Sequence, residues 1–325
     1  MLQEPIHILV IGAGVIGSVY ATCLQEAGCH VTLLARGSHA ADLRASGLIL
    51  EDASTQQSTT SHLRVIEQLV PAESYDLALV CVRLDQVAAL IPDLVANQHI
   101  PTLLFFLNNP TGTKALVEHL GAERVVLGFP GVGGTREGTR VRYVRIQQQP
   151  TTLGEEGGQI TARMRRLAAL LEKAGFPTAF SHNMDDWLKT HAVFISCVTA
   201  ALVLEAGDSV RLGQSRASVT QMVSAIREGF AALRSLGVRV TPFNLQVIFR
   251  WMPRWFAVRY WQGALQTDTG TLAIAPHANA AREEMSQVAR EIQAFLEPSS
   301  VPVPTLKRLL GILSETAPAQ QPPQE

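Results

Sequence analysis

The run Gly12-Ala13-Gly14-Val15-Ile16-Gly17 has the spacing G-x-G-x-x-G, and each of its three glycines has a physical use. The first permits a tight turn, the second removes the side chain that would hold a ligand off the main chain, and the third lets a helix lie close to a strand. A loop of this kind that opens a helix points main-chain N–H groups at its ligand, which suits a pyrophosphate. The motif is informative only between a strand and a helix. Here Ile6 to Ile11 is a largely aliphatic run, as a strand covered on both faces reads, and Val15 to Ala27 follows with helical character up to Gly28. Gly12, Ala13, Gly14, Val15, Ile16 and Gly17 are therefore expected to bind a dinucleotide. The next apolar run, His30 to Ala35, ends at Arg36, with Gly37-Ser38-His39 behind it. An acidic residue at that place would accept hydrogen bonds from the ribose hydroxyls of NAD, whereas a guanidinium pairs with a 2′-phosphate, and Ser38 and His39 suit the same pocket. The expected cofactor is NADP(H).

Other chemistries find little support. Cys23, Cys29, Cys81 and Cys197 form no CxxC pair and no zinc spacing, so no metal is expected. A formal net charge of −1 without a dense Lys/Arg block leaves no footprint for nucleic acid. Glu4 stands where an export signal would carry a basic leader, and the longest greasy stretch, Ala192 to Leu204, is shorter than the ~20 residues that cross a bilayer. The reading is a cytoplasmic protein with neither nucleic acid nor membrane as partner.

The elements that must position these residues follow from the apolar pattern. A chain of 325 residues, 47% of them hydrophobic, has material for two cores. The strand, helix, strand order at the N-terminus is the βαβ unit of a doubly wound fold. Asp76 to Val82, Thr102 to Leu107 and Arg124 to Phe129 read as further strands, making a sheet of about six or more, while the alternation of Val141 to Gln148 predicts a more exposed, antiparallel strand. From Ser181 onward extended runs give way to helical periodicity at Asp185 to Leu204, Ser215 to Leu236 and Ala280 to Leu296. The expected fold is α/β: an N-terminal Rossmann-type doubly wound sheet over 1–180, an all-α C-terminal domain over 181–314, and a disordered tail over 315–325 that is rich in Pro, Gln and Ala.

The order of these features resembles the ketopantoate reductase (2-dehydropantoate 2-reductase) family. The residues that carry the resemblance are the glycine fingerprint with Arg36, Asn108 after a strand, Trp187-Leu188-Lys189 opening a long helix, and Glu284 on a later one. The resemblance implies that Lys189 is the general acid that protonates a carbonyl oxygen as hydride arrives, a role an ammonium can fill while stabilising the developing alkoxide. It implies that Glu284 hydrogen-bonds the substrate hydroxyl and helps position the lysine, although Glu283 is adjacent and a surface ion pair is an alternative. It implies that Asn108 lies near the nicotinamide, and that Arg83, ending the strand Leu79 to Val82, stands where the family commonly has a lysine near cofactor and substrate. Two departures bear on the substrate. The family commonly has asparagines four and eight residues after the lysine, and this chain has Val193 and Cys197. Ser196, about 20° from Lys189 around the helix, can restore one polar contact, whereas His191 points away. Asn109 before Pro110 is pushed toward extended geometry, which reshapes that loop. The carboxylate ligand of the substrate is left open, with Thr269, Thr271 and His277 as weak candidates.

These features predict an NADP-dependent oxidoreductase that reduces a 2-oxo acid, with 2-dehydropantoate, and hence pantothenate biosynthesis, as one expected substrate. The alternatives are a reductase of a less polar carbonyl compound, or an NADPH-binding sensor without turnover. The aromatic segment Phe243 to Trp261 can line a roomier pocket, pack a core or serve a homodimer interface.

Overall fold

The computed structural model describes residues 5–276 and 282–315; His277 and all but the first residue of the expected tail lie outside the described residues. The chain divides into two compact units, Met1–Asp185 and Asp186–Glu325. The expected boundary at 181 falls just after a last short strand; the division lies instead within the first turn of a helix, Met184–Leu204. Met184 and Asp185 stay with the first unit because their side chains pack there. Cβ atoms added at Gly154 and Gly112 would collide with them.

The first unit contains β1 (His7–Ile11), β2 (His30–Leu34), β3 (Leu48–Asp52), β4 (Ser58–Ser61), β5 (Arg64–Ile66), β6 (Leu77–Val80), β7 (Leu103–Phe106), β8 (Val125–Phe129), β9 (Val132–Glu137), β10 (Arg140–Arg145), β11 (Thr151–Gly154) and β12 (Thr178–Phe180). The main sheet runs β12-β11-β8-β7-β6-β1-β2-β5. From β8 to β5 its neighbours are parallel; β11 joins β8 antiparallel. β6, and β1 after its exposed His7, are unbroken apolar runs because both faces are covered, and Ile8, Leu9, Val10, Leu79 and Val80 are fully buried.

The strand expected at Val141 to Gln148 is β10, but it does not extend the main sheet. It forms a second sheet, β4-β3-β10-β9, whose β3 the sequence reading passed over and whose β4, Ser-Thr-Thr-Ser, carries no apolar signal. The helix Val15–Glu26 packs against β1 and β2 of one sheet and against β3, β9 and β10 of the other. Its residues from Gly17 to Leu24 are consequently buried all round, Ser18 and Thr22 among them.

The second unit is helical among its described residues. Met184–Leu204 and Arg216–Ser235 carry most of its core, joined by Arg282–Leu296 and by Pro304–Glu315, a helix the sequence reading did not anticipate. Leu306, Leu309, Leu310 and Leu313 place an apolar stripe of Pro304–Glu315 inside, and it packs on Arg216–Ser235. Met184–Leu204 is longer than the greasy stretch suggested: its 21 residues are long and apolar enough to cross a membrane, yet most of the helix is buried within the protein. The aromatic segment divides in two. Trp261 stacks on Phe249 and touches Phe194 in the core, whereas Trp251 and Trp255 are exposed.

Candidate active site

The turn after β1 has the backbone its glycines require. Gly12 has φ +105°, and its N–H donates to the Leu34 carbonyl at 3.1 Å. A Cβ there would stand 2.6 Å from the Cys81 carbonyl oxygen, and one on Gly17 would run into the Gly12 carbonyl. Gly14, the N-cap of Val15–Glu26, differs: a Cβ there would meet no protein atom within 4 Å. Folding alone does not require that glycine. The open space and a helix start with no side-chain cap form a cradle of the size and polarity that suits a pyrophosphate. The residues present therefore fit a dinucleotide.

Gly12, Arg83 and Asn108 come together as expected at one edge of the sheet. They follow β1, β6 and β7, three adjacent parallel strands whose ends align through Ile11 with Val80 and Val80 with Phe105. The strand order reverses between β1 and β6, the switch point where such sheets bind ligands beyond the carboxyl ends of their strands. Arg83 is exposed, caps the short helix Leu84–Val87 and pairs with Asp85 at 3.2 Å. Asn108 is half-buried. Its neighbour Asn109 is a brace: it is buried, donates to the Gly112 carbonyl at 2.5 Å and accepts from the Thr111 hydroxyl at 2.8 Å.

Arg36 is exposed at the N-cap of the helix Gly37–Ser46 and has no ion-pair partner among the described residues. His39 lies 3.2 Å from the Ala13 carbonyl through Nε2 and 3.3 Å from Arg136 through Nδ1. Burial, and after it the charge of Arg136, pull this imidazole below its ordinary range. A neutral ring that donates from Nε2 and accepts at Nδ1 satisfies both contacts. Arg136 escaped the sequence reading, because β9 reaches His39 only through the second sheet. Glu67, a carboxylate near Gly37, is held low by Arg44, with which it pairs at 2.8 Å, and then by the Gly37 N–H.

In the second unit Lys189 is 6% exposed and Glu284 is 5% exposed, while Glu283 faces solvent. Burial thus singles out Glu284 of the adjacent pair. The Lys189 ammonium lies 5.1 Å from the ring centroid of Phe295, which belongs to the same helix as Glu284. The turn carrying Lys189 is fastened on both sides. Asp186 accepts from the Arg239 N–H at 3.1 Å, and the Thr190 hydroxyl donates to the Asp186 carbonyl at 2.8 Å and accepts from the Thr241 N–H at 3.3 Å. His191 stacks on Trp187 at 5.3 Å, a packing role as expected. Val193 and Cys197 belong wholly to the apolar core; a Cβ on Gly229 would stand 2.5 Å from Val193. Burial, and the charge of Glu228 after it, push the Cys197 thiol upward and keep it neutral. The Ser196 and Thr199 hydroxyls are buried without a hydrogen-bond partner.

The family model for ketopantoate reductase PanE/ApbA matches residues 8–158. No curated protein sequence matches the chain. Among solved structures, a 2-dehydropantoate 2-reductase from Geobacter metallireducens GS-15 is 18% identical, with 96% of this chain and 100% of that one covered and a TM-score of 0.78. A ketopantoate reductase from Ralstonia eutropha JMP134 is 20% identical, with 95% and 97% covered and a TM-score of 0.71. A D-mandelate dehydrogenase bound to NADH and anilino(oxo)acetate is 15% identical, with 95% and 97% covered and a TM-score of 0.74. Residues 8–158 thus match the ketopantoate reductase PanE/ApbA family model, and over nearly the whole length the chain has the fold of solved ketopantoate reductases.

Proposed function

We propose that this protein reduces a 2-oxo acid to the 2-hydroxy acid with NADPH, with Lys189 as proton donor. The observation that carries the reading is the burial of Lys189 at the start of a long apolar helix, in the same unit as a buried Glu284. An ammonium is costly to keep from water, and a catalytic role is one that repays the cost. A reduced nicotinamide bound along Gly12 to Gly17 supplies hydride. The chain's own groups do the rest. Main-chain N–H groups at the start of Val15–Glu26 hold the pyrophosphate, and Arg36, with Ser38, His39 and Arg136, takes the 2′-phosphate. Arg83 and Asn108 fix the ring and the substrate carbonyl, Lys189 gives its Nζ proton to the carbonyl oxygen, and Glu284 accepts from the substrate hydroxyl.

The substrate is proposed to be less polar than 2-dehydropantoate. Val193 and Cys197 offer no hydrogen bond where the family has asparagines, and Ser196 is the hydroxyl nearest the Lys189 face of the helix. That D-mandelate dehydrogenase, of similar fold, is bound to anilino(oxo)acetate, which carries an aromatic ring, supports this reading.

The test follows NADPH oxidation with 2-dehydropantoate and with alkyl- and aryl-substituted 2-oxo acids. Lys189→Ala is expected to lower kcat about 100- to 10,000-fold while NADPH still binds. Arg36→Ala should weaken NADPH about tenfold and leave NADH unchanged. Binding without turnover across the whole panel would instead favour a sensor, the reading that the two lost asparagines support.

A further inference from the structure

Among the described residues, all five exposed Phe, Trp and Tyr side chains lie in one stretch of 18 residues: Phe243, Trp251, Trp255, Phe256 and Tyr260. Phe243 and Trp251 touch at 5.3 Å, and Trp255 and Phe256 at 6.0 Å, so the rings form adjoining pairs on either side of the Met252-Pro253 turn. The helix Arg254–Ala264 buries Ala257, Val258 and Trp261 and turns Trp255, Phe256, Arg259 and Tyr260 outward. Its solvent face is therefore aromatic, the reverse of what a surface helix normally shows.

The same stretch is uniformly positive. From Gly229 to Thr267 the sequence has five arginines and no acidic residue, in a chain whose formal net charge is −1. Arg250, Arg254 and Arg259 are exposed, and none pairs with a carboxylate among the described residues. Two of them stand close enough to other arginines to be felt: Arg254 acts on Arg227, and Arg250 on Arg234.

We infer that this face docks on an anionic phospholipid surface. Charge decides between the candidate occupants. A two-fold contact with a second copy would set these arginines against themselves with no carboxylate in the segment to offset them. Lipid phosphates and anionic headgroups supply the missing charge. The rings also protrude, Trp255 being 66% exposed and Phe243 65%. Protruding Trp, Phe and Tyr rings enter the fluid boundary between headgroups and acyl chains, whereas a protein partner would have to offer a pocket for each. The mode is adsorption from one side without a membrane span, and it departs from the sequence reading, which expected no membrane as partner.

The full-length protein is sedimented with vesicles of phosphatidylcholine alone and of phosphatidylcholine mixed with phosphatidylglycerol, and its tryptophan emission is read with brominated acyl chains present. The expected result is at least a roughly tenfold preference for the anionic vesicles, weakened by salt, with quenching of tryptophan. Trp251→Ala with Trp255→Ala should remove most of the quenching, and Arg250→Gln, Arg254→Gln and Arg259→Gln together should remove the preference for anionic lipid. Circular dichroism should be unchanged in each, since the replaced side chains are exposed. Absence of sedimentation with anionic vesicles would overturn the inference. So would binding that ignores these substitutions, equal retention on duplex DNA, or a stable dimer in which iodide cannot reach the two exposed tryptophans.

Discussion

In the turn Gly12 to Gly17 the proposed binding falls to main-chain atoms, and what matters is which side chains are missing. At Lys189 the proposed chemistry falls to one side chain whose place is set by everything packed around it. The turn needs a +105° φ at Gly12 and close approach at Gly17, both local demands. The lysine needs Asp186, Thr190, Arg239 and Thr241 to fasten its helix, and Phe295 from a helix about a hundred residues later to flank its ammonium. The difference teaches that a main-chain site is robust to surroundings and intolerant of a single methyl, whereas a side-chain site inherits the tolerance of its core.

The largest effect should come from Gly17, which the fold requires and the proposed binding shares. Gly17→Ala forces a methyl onto the Gly12 carbonyl, so unfolding in urea should show a loss of about 3 kcal/mol together with lost NADPH binding. Retained stability would break the comparison at its strongest point. Val193→Asn tests the other region. It buries an amide in an apolar core beside Gly229, so a loss of about 2 kcal/mol is expected with no gain in substrate affinity. A tighter KM at unchanged stability would show that this position faces the substrate.

Gly14→Ala separates binding from folding. No protein atom opposes the methyl, so stability should change by less than about 0.5 kcal/mol. NADPH affinity, followed by fluorescence titration, should fall roughly tenfold, because the methyl takes space meant for the pyrophosphate. The smallest effect concerns Cys23, on the helix that the turn opens. Burial pushes its thiol from 9.0 up to about 11, against the pull of Arg145. Because the folded value lies above the unfolded one, the protonated thiol's contribution is intact below pH 9 and is lost as pH rises toward 11. Relative to Cys23→Ala, the wild type should lose about 1 kcal/mol of unfolding free energy between pH 9 and pH 10.

Much of this protein was legible in its residues because the demands are local. The glycine spacing between an aliphatic run and a helix announces its own backbone, and the alternation of apolar types separates the sheet of the first unit from the helices of the second. The buried stripe of Pro304–Glu315 was equally present in the sequence and went unread. What only the tertiary structure decided depends on which surfaces meet. The second sheet brings Arg136 to His39 across nearly a hundred residues, and only pairing with β3 makes the polar, exposed run Ser58–Ser61 a strand. Burial, a property of the packed whole, separates Glu284 from Glu283 and the hidden Trp261 from the exposed Trp255, residue types that sequence periodicity alone treats alike.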